Sequence, residues 1–435
     1  MISGWGRYPR LPSEVVRPAP GSLPDAMSGG PVIARGAGRA YGDAAVSLRR
    51  TVQMDRHDRM LDFDAETGLL VAEAGVTLGQ IIDAFLPRGW FPAVTPGTRF
   101  VTLGGAIAAD VHGKNHHRDG AFRSCVAWLD LVGPDGTEQR CSSQQNADLF
   151  DWTLGGMGLT GIVTRAAIRL RRVESAWIAQ KTIPCANLTD TMAAFEANAD
   201  ATYSVAWIDC LATGAARGRS LLMLGEHATA QQSKRRNPLA TPKTDSKSVP
   251  FDLPGWALNG LTVKAFNAFY WRKGKSGPRQ SLVDWQSFFY PLDAILGWNR
   301  IYGRKGFVQF QCALPLDTAQ TGLEALLDEI AAARAGSFLA VLKRLGPGAG
   351  KFSFPMEGYT LALDFPVSDK VLALLERLDA ITIAHGGRFY LAKDARMKAA
   401  TLRAADPRAD NLKRMRDEMG LSAGFRSAQS ERLAL

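Results

Sequence analysis

The sequence predicts an α+β protein of two domains, or of one domain with a large insertion. The chain has 435 residues, which is too long for one compact core, and its 46% hydrophobic and 22% charged residues are typical of a folded globular protein. Short β-type runs alternate with glycine-rich turns through the first 170 residues, whereas longer helical and strand patterns follow from about residue 172.

The first part of the chain is predicted to consist mainly of short strands. β-type runs cover residues 32–34, 52–54 and 69–72. A helix is predicted to begin after Thr77 and to end at Pro87 and Gly89, because apolar residues at helical spacing lie between them. Residues 126–132 are predicted to form a hairpin with a return strand through Cys141, and residues 162–170 to form a further strand.

The second part is predicted to combine longer helices with strands. Helical spacing of apolar residues covers 188–198, 318–333 and 371–383, and strand patterns cover 205–208, 221–224, 360–364 and 388–391. Residues 227–249 are polar and basic and contain proline, so they are predicted to form a mobile loop of the kind that can act as a lid.

The charge balance and the cysteines limit the classes of partner. Lysine and arginine exceed aspartate and glutamate by 52 to 42, which favours anionic partners such as phosphates or lipid headgroups. No nucleic-acid-binding motif accompanies the scattered basic residues, so nucleic acid is not a predicted partner.

Five scattered cysteines predict buried thiols in a reducing compartment. The neighbouring His116 and His117 predict no metal site, because adjacent side chains diverge.

The expected location follows from two missing patterns in the sequence. The N-terminus lacks a secretory signal, and no run reaches 18 consecutive apolar residues. We therefore expect a cytoplasmic protein. Peripheral association with the inner membrane surface stays open, because binding through basic and exposed apolar residues leaves no long apolar run.

A first glycine-rich segment, residues 34–43, directly follows a predicted strand. Gly36, Gly38 and Gly42 would let backbone N–H groups close on an anion, and Arg35 and Arg39 add positive charge, so the pattern is typical of a phosphate cradle. Residues 41–43 replace the helix that opens a Rossmann dinucleotide site. A plain glycine-rich turn is the alternative interpretation.

Two further glycine-rich segments lie in the same part of the chain. Residues 95–117 contain small residues at 104–106, which would let a planar ring lie against the backbone, with the Thr98 and Thr102 hydroxyls nearby. Residues 154–163 again place glycines before an apolar strand. Three such segments, about 50 to 60 residues apart in one predicted domain, indicate an extended cofactor.

The order and the amino-acid sequences of these segments resemble those of the vanillyl-alcohol-oxidase-type FAD-binding fold. Short motifs at residues 4–7, 112–117, 271–273, 290–293, 298–300 and 392–394 resemble the decaprenylphosphoryl-β-D-ribose 2′-oxidase family, from about residue 4 to the C-terminal end. The resemblance implies an FAD-binding domain over residues 1–173. It further implies a substrate-binding domain of antiparallel sheet plus helices over 174–387, and a return to the FAD-binding domain over 388–435.

The resemblance also implies which residues hold the cofactor. Some proteins of this fold attach the flavin through a histidine in the first glycine-rich loop, but this loop has Arg39 and Tyr41 and no histidine, so non-covalent FAD is expected. The implied cofactor-binding residues are Arg35, Gly36, Ala37, Gly38, Arg39, Tyr41, Gly42, Pro96, Gly97, Thr98, Thr102, Gly104, Gly105, Ala108, His112, Gly113, Asn115, Gly158, Gly161, Ile162 and Lys393.

Three of these residues are implied to be catalytic: Lys393, Tyr41 and His112. The family places the matching lysine at the flavin, where a cation can stabilise negative charge and orient the substrate hydroxyl. Judged without the resemblance, Lys393 is a solvated lysine after a strand, and His112 is a loop histidine with satisfied hydrogen bonds.

The candidate substrate residues come from both parts of the chain. Gln309 and Gln311 alternate with apolar neighbours, so a strand would place both amides on one face, turned either to sugar hydroxyls or to solvent. The other candidates are Lys114, Tyr302, Thr360 and Ala362, and mycobacterial members of the family carry a cysteine where this chain has Ala362. Arg272, Lys273 and Lys275 are alternatives for holding a phosphate.

The resemblance implies oxidation of C2 of a polyprenyl-phosphoryl-β-D-ribose to the 2-keto sugar, which a separate short-chain reductase would complete to arabinose. Two alternatives stay open. One is a flavin oxidase or dehydrogenase of a soluble alditol or hydroxy acid, and the other is a non-catalytic flavoprotein that serves as a scaffold.

Overall fold

The computed structural model of the protein describes residues 1–241, 247–254, 260–337 and 339–435. In chain order the strands β1 to β19 are Glu14–Val16, Val32–Arg35, Arg50–Gln53, Met60–Asp64, Leu69–Glu73, Trp90–Pro92, Val126–Val132, Glu138–Ser142, Ile162–Arg172, Trp177–Cys185, Tyr203–Ile208, Ser220–His227, Lys247–Ser248, Arg279–Asp284, Ile295–Leu296, Phe307–Pro315, Ala340–Leu345, Gly358–Pro366 and Arg388–Phe389.

The α-helices α1 to α15 are, in the same order, Leu23–Met27, Leu78–Phe85, Leu103–Ala108, His116–Asp119, Ala147–Thr153, Leu188–Glu196, Ala230–Ser233, Gly260–Gly274, Trp285–Phe289, Leu316–Ala332, Asp369–Ala384, Ala399–Ala405, Arg408–Glu418, Leu421–Gly424 and Ala428–Leu433. Short 3-10 helices cover Leu86–Arg88, Phe122–Cys125, Gly214–Ala216 and Trp298–Tyr302. Within the described residues, no helix combines the length and the apolar character needed to cross a membrane.

Two sheets form the N-terminal part. β1, β3 and β2 pair in parallel in that order, and β4-β5-β9-β7-β8 form an antiparallel sheet in which β6 also pairs with β9. The predicted helix after Thr77 is confirmed as α2, and its first turn is closed by the Thr77 hydroxyl, which accepts from the Gln80 N–H at 3.2 Å. The predicted hairpin and the following strand are confirmed as β7, β8 and β9.

A large antiparallel sheet forms the second part, with the strand order β14-β10-β12-β11-β17-β18-β16-β19. Successive residues along its strands face two environments, the hydrophobic core on one side and a cavity on the other. On β16, Phe310, Cys312 and Leu314 are buried in the core shared with the helices α10 and α11, whereas Gln309 and Gln311 line a cavity on the opposite face. The predicted helices at 188–198, 318–333 and 371–383 are confirmed as α6, α10 and α11.

The strand prediction for 388–391 is wrong at its C-terminal end. β19 stops at Phe389, and the chain then turns, because the Lys393 N–H donates to the Tyr390 carbonyl at 2.9 Å. β19 also pairs with β16, so the large sheet extends beyond residue 387, where the second domain was predicted to end. The turn carries Lys393 away from the strand direction.

The predicted loop over 227–249 contains more regular structure than expected. It includes the end of β12, the helix α7 and the strand β13, which pairs with β15. Thr229 caps α7 by accepting from the Gln232 N–H at 3.1 Å. Residues 242–246 of this segment lie outside the described residues, so the lid hypothesis stays a prediction.

The C-terminal segment packs against the start of the chain. The Arg426 N–H donates to the Val32 carbonyl, and the Arg432 guanidinium pairs with Asp43 at 2.7 Å and with Asp394 at 2.8 Å. These contacts tie the first glycine-rich segment to the turn that carries Lys393.

Candidate active site

A cavity of about 470 Å³ lies between the glycine-rich segments and one face of the large sheet. Its volume is in the range usual for ligand sites. The predicted site residues that line it are Gly36, Ala37, Gly38, Arg39, Tyr41, Pro96, Gly97, Thr98, Thr102, Gly104, Gly105, Ala108, His112, Lys114, Gly158, Gly161, Gln309, Gln311, Thr360, Ala362 and Lys393.

The glycine-rich wall brings backbone close to the cavity. A Cβ on Gly36 would collide with the Thr102 hydroxyl, so only glycine lets the first segment lie against the N-terminus of α3. Gly38 has φ +63°, a left-handed conformation that glycine adopts without strain. The Arg39 guanidinium lies between the rings of Trp5 and Phe100, 4.2 and 4.9 Å from their centroids, and its Nε has no hydrogen-bond partner among the described residues.

Lys393 packs against Tyr41 of the first segment. Its Nζ is 3.7 Å from the centroid of the Tyr41 ring, and the Tyr41 N–H donates to the Ala392 carbonyl at 2.9 Å. Burial lowers the pKa of the Lys393 ammonium, and the charge of Asp364 opposes part of this shift. The amine is therefore neutral in a larger fraction of molecules than an ordinary lysine at neutral pH.

Asp364 accepts a hydrogen bond from the cavity residue Gln309 and does not itself line the cavity. It is 1% exposed, and burial raises the pKa of its carboxyl group. Its Oδ1 accepts from the Gln309 amide at 2.5 Å, while its Oδ2 has no hydrogen-bond partner among the described residues. It is not one of the predicted site residues, although alternation along the strand predicts that it shares a face with Thr360 and Ala362.

His112 is held as a neutral imidazole. The Gln311 amide nitrogen lies 3.0 Å from His112 Nε2 and also donates to the Thr360 hydroxyl at 3.2 Å. Because this amide nitrogen only donates, Nε2 accepts and Nδ1 carries the proton. Burial, reinforced by the charge of Lys343, keeps the His112 pKa well below its usual value. His112 Nδ1 has no hydrogen-bond partner in the part of the chain that the structure describes.

Two lysines approach the cavity beyond His112. Burial, with the charge of Lys343, lowers the pKa of Lys114 to about 7, and burial lowers the pKa of Lys343 to about 8. Lys114 donates to the Phe288 carbonyl and lies over the Phe288 ring. Neither lysine forms an ion pair with a carboxylate of the described residues, so the two amines are available to an anion.

Lys343 is a cavity residue that is absent from the predicted site. It follows Val341 at a spacing of two on β17, and both side chains line the cavity. This alternation was the only signal, because a single lysine on a strand is usually solvated.

The structure does not bring six of the predicted residues to the cavity. The Arg35 guanidinium donates to the Ser3 carbonyl at 2.8 Å, and the Asn115 amide to the Ala93 carbonyl at 2.9 Å. Ile162 is fully buried in β9, and Tyr302 stacks on Phe307 with centroids 4.4 Å apart. The remaining two are Gly42, which packs closely against the backbone of Asp394, and Gly113, which packs against Thr95 and Asn115.

The other basic candidates and the histidine pair lie elsewhere. Arg272 and Lys273 are exposed at the end of α8 and, like Lys275, do not line the cavity. His116 Nδ1 accepts from the Gly346 N–H at 3.1 Å, and His117 Nε2 lies 2.8 Å from the Ala201 carbonyl, so both rings bind backbone groups.

The lining fits FAD. Glycines of three segments expose backbone along one wall, which suits a long cofactor with a pyrophosphate and a planar ring. Arg39 Nε is a buried polar atom without a partner among the described residues, and Arg39 lines this wall. We expect Gly36 to Tyr41 to hold the pyrophosphate and Lys393 to lie at the ring.

Comparisons with known proteins agree with this assignment. A family described as an FAD binding domain matches residues 26–142. The chain is 34% identical to the decaprenylphosphoryl-beta-D-ribose oxidase of Mycolicibacterium smegmatis over 100% of its own length and 97% of the relative's length. More distantly, it is 29% identical to the D-lactate dehydrogenase of Archaeoglobus fulgidus, over 32% of this chain and 33% of that enzyme.

The family match and the full-length relative confirm the predicted cofactor and the predicted fold, an α+β fold of the vanillyl-alcohol-oxidase type. Near-complete coverage in both directions means that the similarity includes the large sheet as well as the glycine-rich segments. The chain is therefore an FAD-dependent oxidoreductase and belongs to the decaprenylphosphoryl-β-D-ribose oxidase family.

Proposed function

We propose that this enzyme oxidises the C2 hydroxyl of a polyprenyl-phosphoryl-β-D-ribose to the 2-keto sugar. One observation carries the proposal: a single cavity combines hydroxyl-binding groups beside the glycine-rich wall with two lysines that form no ion pair with a carboxylate of the described residues. A sugar phosphate needs hydrogen-bonding groups for the sugar hydroxyls and, next to them, cations for the phosphate. The name of the full-length relative supports the same substrate class.

Oxidation of a secondary alcohol removes a hydride from carbon and a proton from oxygen. Bound FAD would supply the acceptor for the hydride, which carries both electrons. The proton is the part that the chain itself must handle. Lys393 is suited to accept it, because its lowered pKa leaves a neutral amine with a free lone pair near neutral pH.

His112, Gln311 and Thr360 are suited to orient the sugar. Gln311 fixes the His112 ring, so the protonated Nδ1 is a donor of fixed direction. The imidazole remains neutral and adds no charge beside Lys393. This arrangement holds the ribose hydroxyls without competing for the proton.

Lys114 and Lys343 are suited to the phosphate. A phosphate between them would favour their ammonium forms and reverse part of the lowering of their pKa values. Substrate binding is therefore expected to take up protons near neutral pH. Arg272 and Lys273 are less suitable, because they lie outside the cavity.

The product of this reaction implies a second enzyme. A 2-keto sugar becomes the arabinose epimer only when a hydride returns to C2 from the opposite face. We propose that a separate short-chain reductase performs this step.

Since the substrate carries a lipid, we also propose that the enzyme works at a membrane surface, where exposed phenylalanines and basic residues of α8 would contact lipid.

Anaerobic reduction of the bound flavin by a substrate panel tests the proposal. Prenyl-phosphoryl ribose should bleach the flavin absorbance within seconds, and free alditols and hydroxy acids should leave it oxidised. Reduction by a soluble alditol or hydroxy acid alone would assign the enzyme to the alternative substrates. Absence of reduction by every compound would favour a non-catalytic scaffold.

A further inference from the structure

The cavity continues beyond the two lysines across one face of the large sheet. Gln311 on β16 pairs with Ala362 on β18, Ala362 pairs with Val341 on β17, and Val341 pairs with Trp207 on β11. Residues directly opposite one another in neighbouring strands point to the same face of a sheet. All four line the cavity, so they form one continuous row of its floor.

A second row runs parallel to the first. Thr360 on β18 pairs with Lys343 on β17, and Val205 on β11 pairs with Met223 on β12. These four residues also line the cavity. The floor therefore spans the strands from β16 to β12, which at a spacing of about 4.8 Å between strands is about 19 Å.

The chemical character of the floor changes along this direction. Gln311 and Thr360 are polar and lie near His112, and Lys343 lies on the central strand. Beyond Lys343 the floor consists of Val205, Ala206, Trp207 and Met223. A polar end, a cationic middle and an apolar far end follow one another in a single cavity.

Aromatic side chains form the opposite wall of the far end. Tyr270 of α8 lies against Trp207 with ring centroids 4.8 Å apart, and Phe288 lines the cavity beside Lys114. We call the part lined by Val205, Trp207, Met223, Val341, Tyr270 and Phe288 the apolar arm. Its outer limit is Gln180 on β10, whose amide donates to the Thr182 hydroxyl at 3.0 Å.

We propose that the apolar arm binds the first isoprene units of the lipid on the phosphoryl sugar. This rests on the proposed function, because it assumes that the phosphate lies at Lys114 and Lys343. The arm then begins where the lipid leaves the phosphate. From β17 to β12 it extends over two strand spacings, about 10 Å, so it encloses the start of a prenyl chain and leaves the remainder outside.

The occupant follows from the lining. Hydrocarbon gains affinity by leaving water for an apolar wall, and a branched prenyl chain brings no polar group that Val205, Met223 and Trp207 would leave unpaired. A second sugar or a nucleotide would require several hydrogen-bond partners, whereas the side chains of this part of the floor offer, among the described residues, one donor, the Trp207 indole N–H.

A series of ligands on the holoenzyme tests the arm. Methyl, dimethylallyl, geranyl and farnesyl phosphates carry the same charge and differ in apolar length, and their dissociation constants can be measured by calorimetry. Affinity should rise by about tenfold or more with the first isoprene unit and level off once the arm is full. Equal affinity for methyl and farnesyl phosphate would overturn the proposal.

A substitution in the apolar arm tests whether the prenyl chain binds there. Met223→Gln keeps the length of the side chain but makes the arm polar, so farnesyl phosphate should lose about tenfold in affinity while methyl phosphate is unaffected. Met419→Gln, at a residue 46% exposed, is the matched control and should change neither. FAD content and melting temperature show that Met223→Gln folds. An unchanged farnesyl affinity in the folded variant would contradict the placement of the arm.

These outcomes are separable from the proposed function. The phosphates carry no ribose, so length-dependent binding without any flavin reduction by prenyl-phosphoryl ribose would leave the arm in place and remove the proposed oxidation. Flavin reduction by prenyl-phosphoryl ribose, with phosphate binding that does not depend on chain length, would support the proposed oxidation and contradict the proposed arm.

Discussion

The Lys393 ammonium lies over the Tyr41 ring, with Nζ 3.7 Å from the ring centroid. The two residues are 352 positions apart and come from the first glycine-rich segment and the C-terminal turn. Attraction between a cation and the ring face holds the side chain in place, while burial favours loss of its proton. Lys393 is thereby fixed in position and close to balance between its two protonation states.

We therefore expect Lys393→Ala to keep its FAD and lose most of its turnover. Removing one preorganised group at a reacting centre commonly lowers the rate on the order of 100-fold. Anaerobic flavin reduction by prenyl-phosphoryl ribose measures this effect. Lys398→Ala, at a neighbouring lysine with a 71% exposed side chain, should retain full activity. Near-normal reduction in Lys393→Ala would remove Lys393 from the reaction.

The FAD should be released when the protein is denatured. The first glycine-rich segment contains no histidine or cysteine, and all five cysteines are buried and outside the lining of the cavity. Precipitation with acid should leave the yellow colour in the supernatant, where chromatography identifies intact FAD. A flavin that stays with the washed pellet would indicate a covalent bond, for which His112 would be the first candidate.

Ala362→Cys should introduce a reactive thiol into the cavity. Ala362 lines the cavity floor, whereas the native cysteines are buried, and burial raises the pKa of Cys125, Cys210 and Cys312 to about 12. A small methanethiosulfonate reagent should add one label to the variant and none to the unmodified enzyme, as read by intact-protein mass spectrometry. Farnesyl phosphate should slow the labelling. Equal labelling of both proteins would contradict this placement of Ala362.

Stability should fall in weak acid partly because of His116. Burial lowers its pKa to about 4 in the folded protein, so the unfolded chain binds a proton more readily. The free energy of unfolding therefore decreases as pH falls from about 6.5 to about 4, by about 2–3 kcal/mol from this residue. His116→Asn keeps an acceptor for the Gly346 N–H and does not titrate. Urea unfolding should show a shallower pH dependence in the variant, and identical slopes would contradict the assignment.

Vesicles test the proposed membrane contact. Residues 253–283 contain five basic residues, Lys264, Arg272, Lys273, Lys275 and Arg279, and no acidic one, and Phe266 and Phe269 on α8 are 42% and 66% exposed. The enzyme should sediment with phosphatidylglycerol vesicles and remain free with phosphatidylcholine vesicles. Phe269→Ser should weaken sedimentation several-fold, while Met419→Ser should not. Equal binding to both lipids would rule out a charge-driven contact.

Much of the local structure could be predicted from the sequence. Thr77 caps α2 as its spacing from Gln80 indicates, and alternation of polar and apolar residues placed Gln309 and Gln311 on one face of β16. The three glycine-rich segments line a single cavity. These features depend on contacts between residues close in the chain, and side-chain size and backbone freedom decide such contacts.

The assembled site depended on the tertiary structure. Ile162 and Tyr302 are candidates from the sequence that do not line the cavity, whereas Lys343 carries no motif and lines it. The apolar arm exists because β11 and β17 are neighbours in the large sheet, although they are far apart in the chain. The sequence by itself determined which residues share a face of each strand. Only the pairing of distant strands decided which faces meet, because that register is set by burial over the whole sheet and no short segment encodes it.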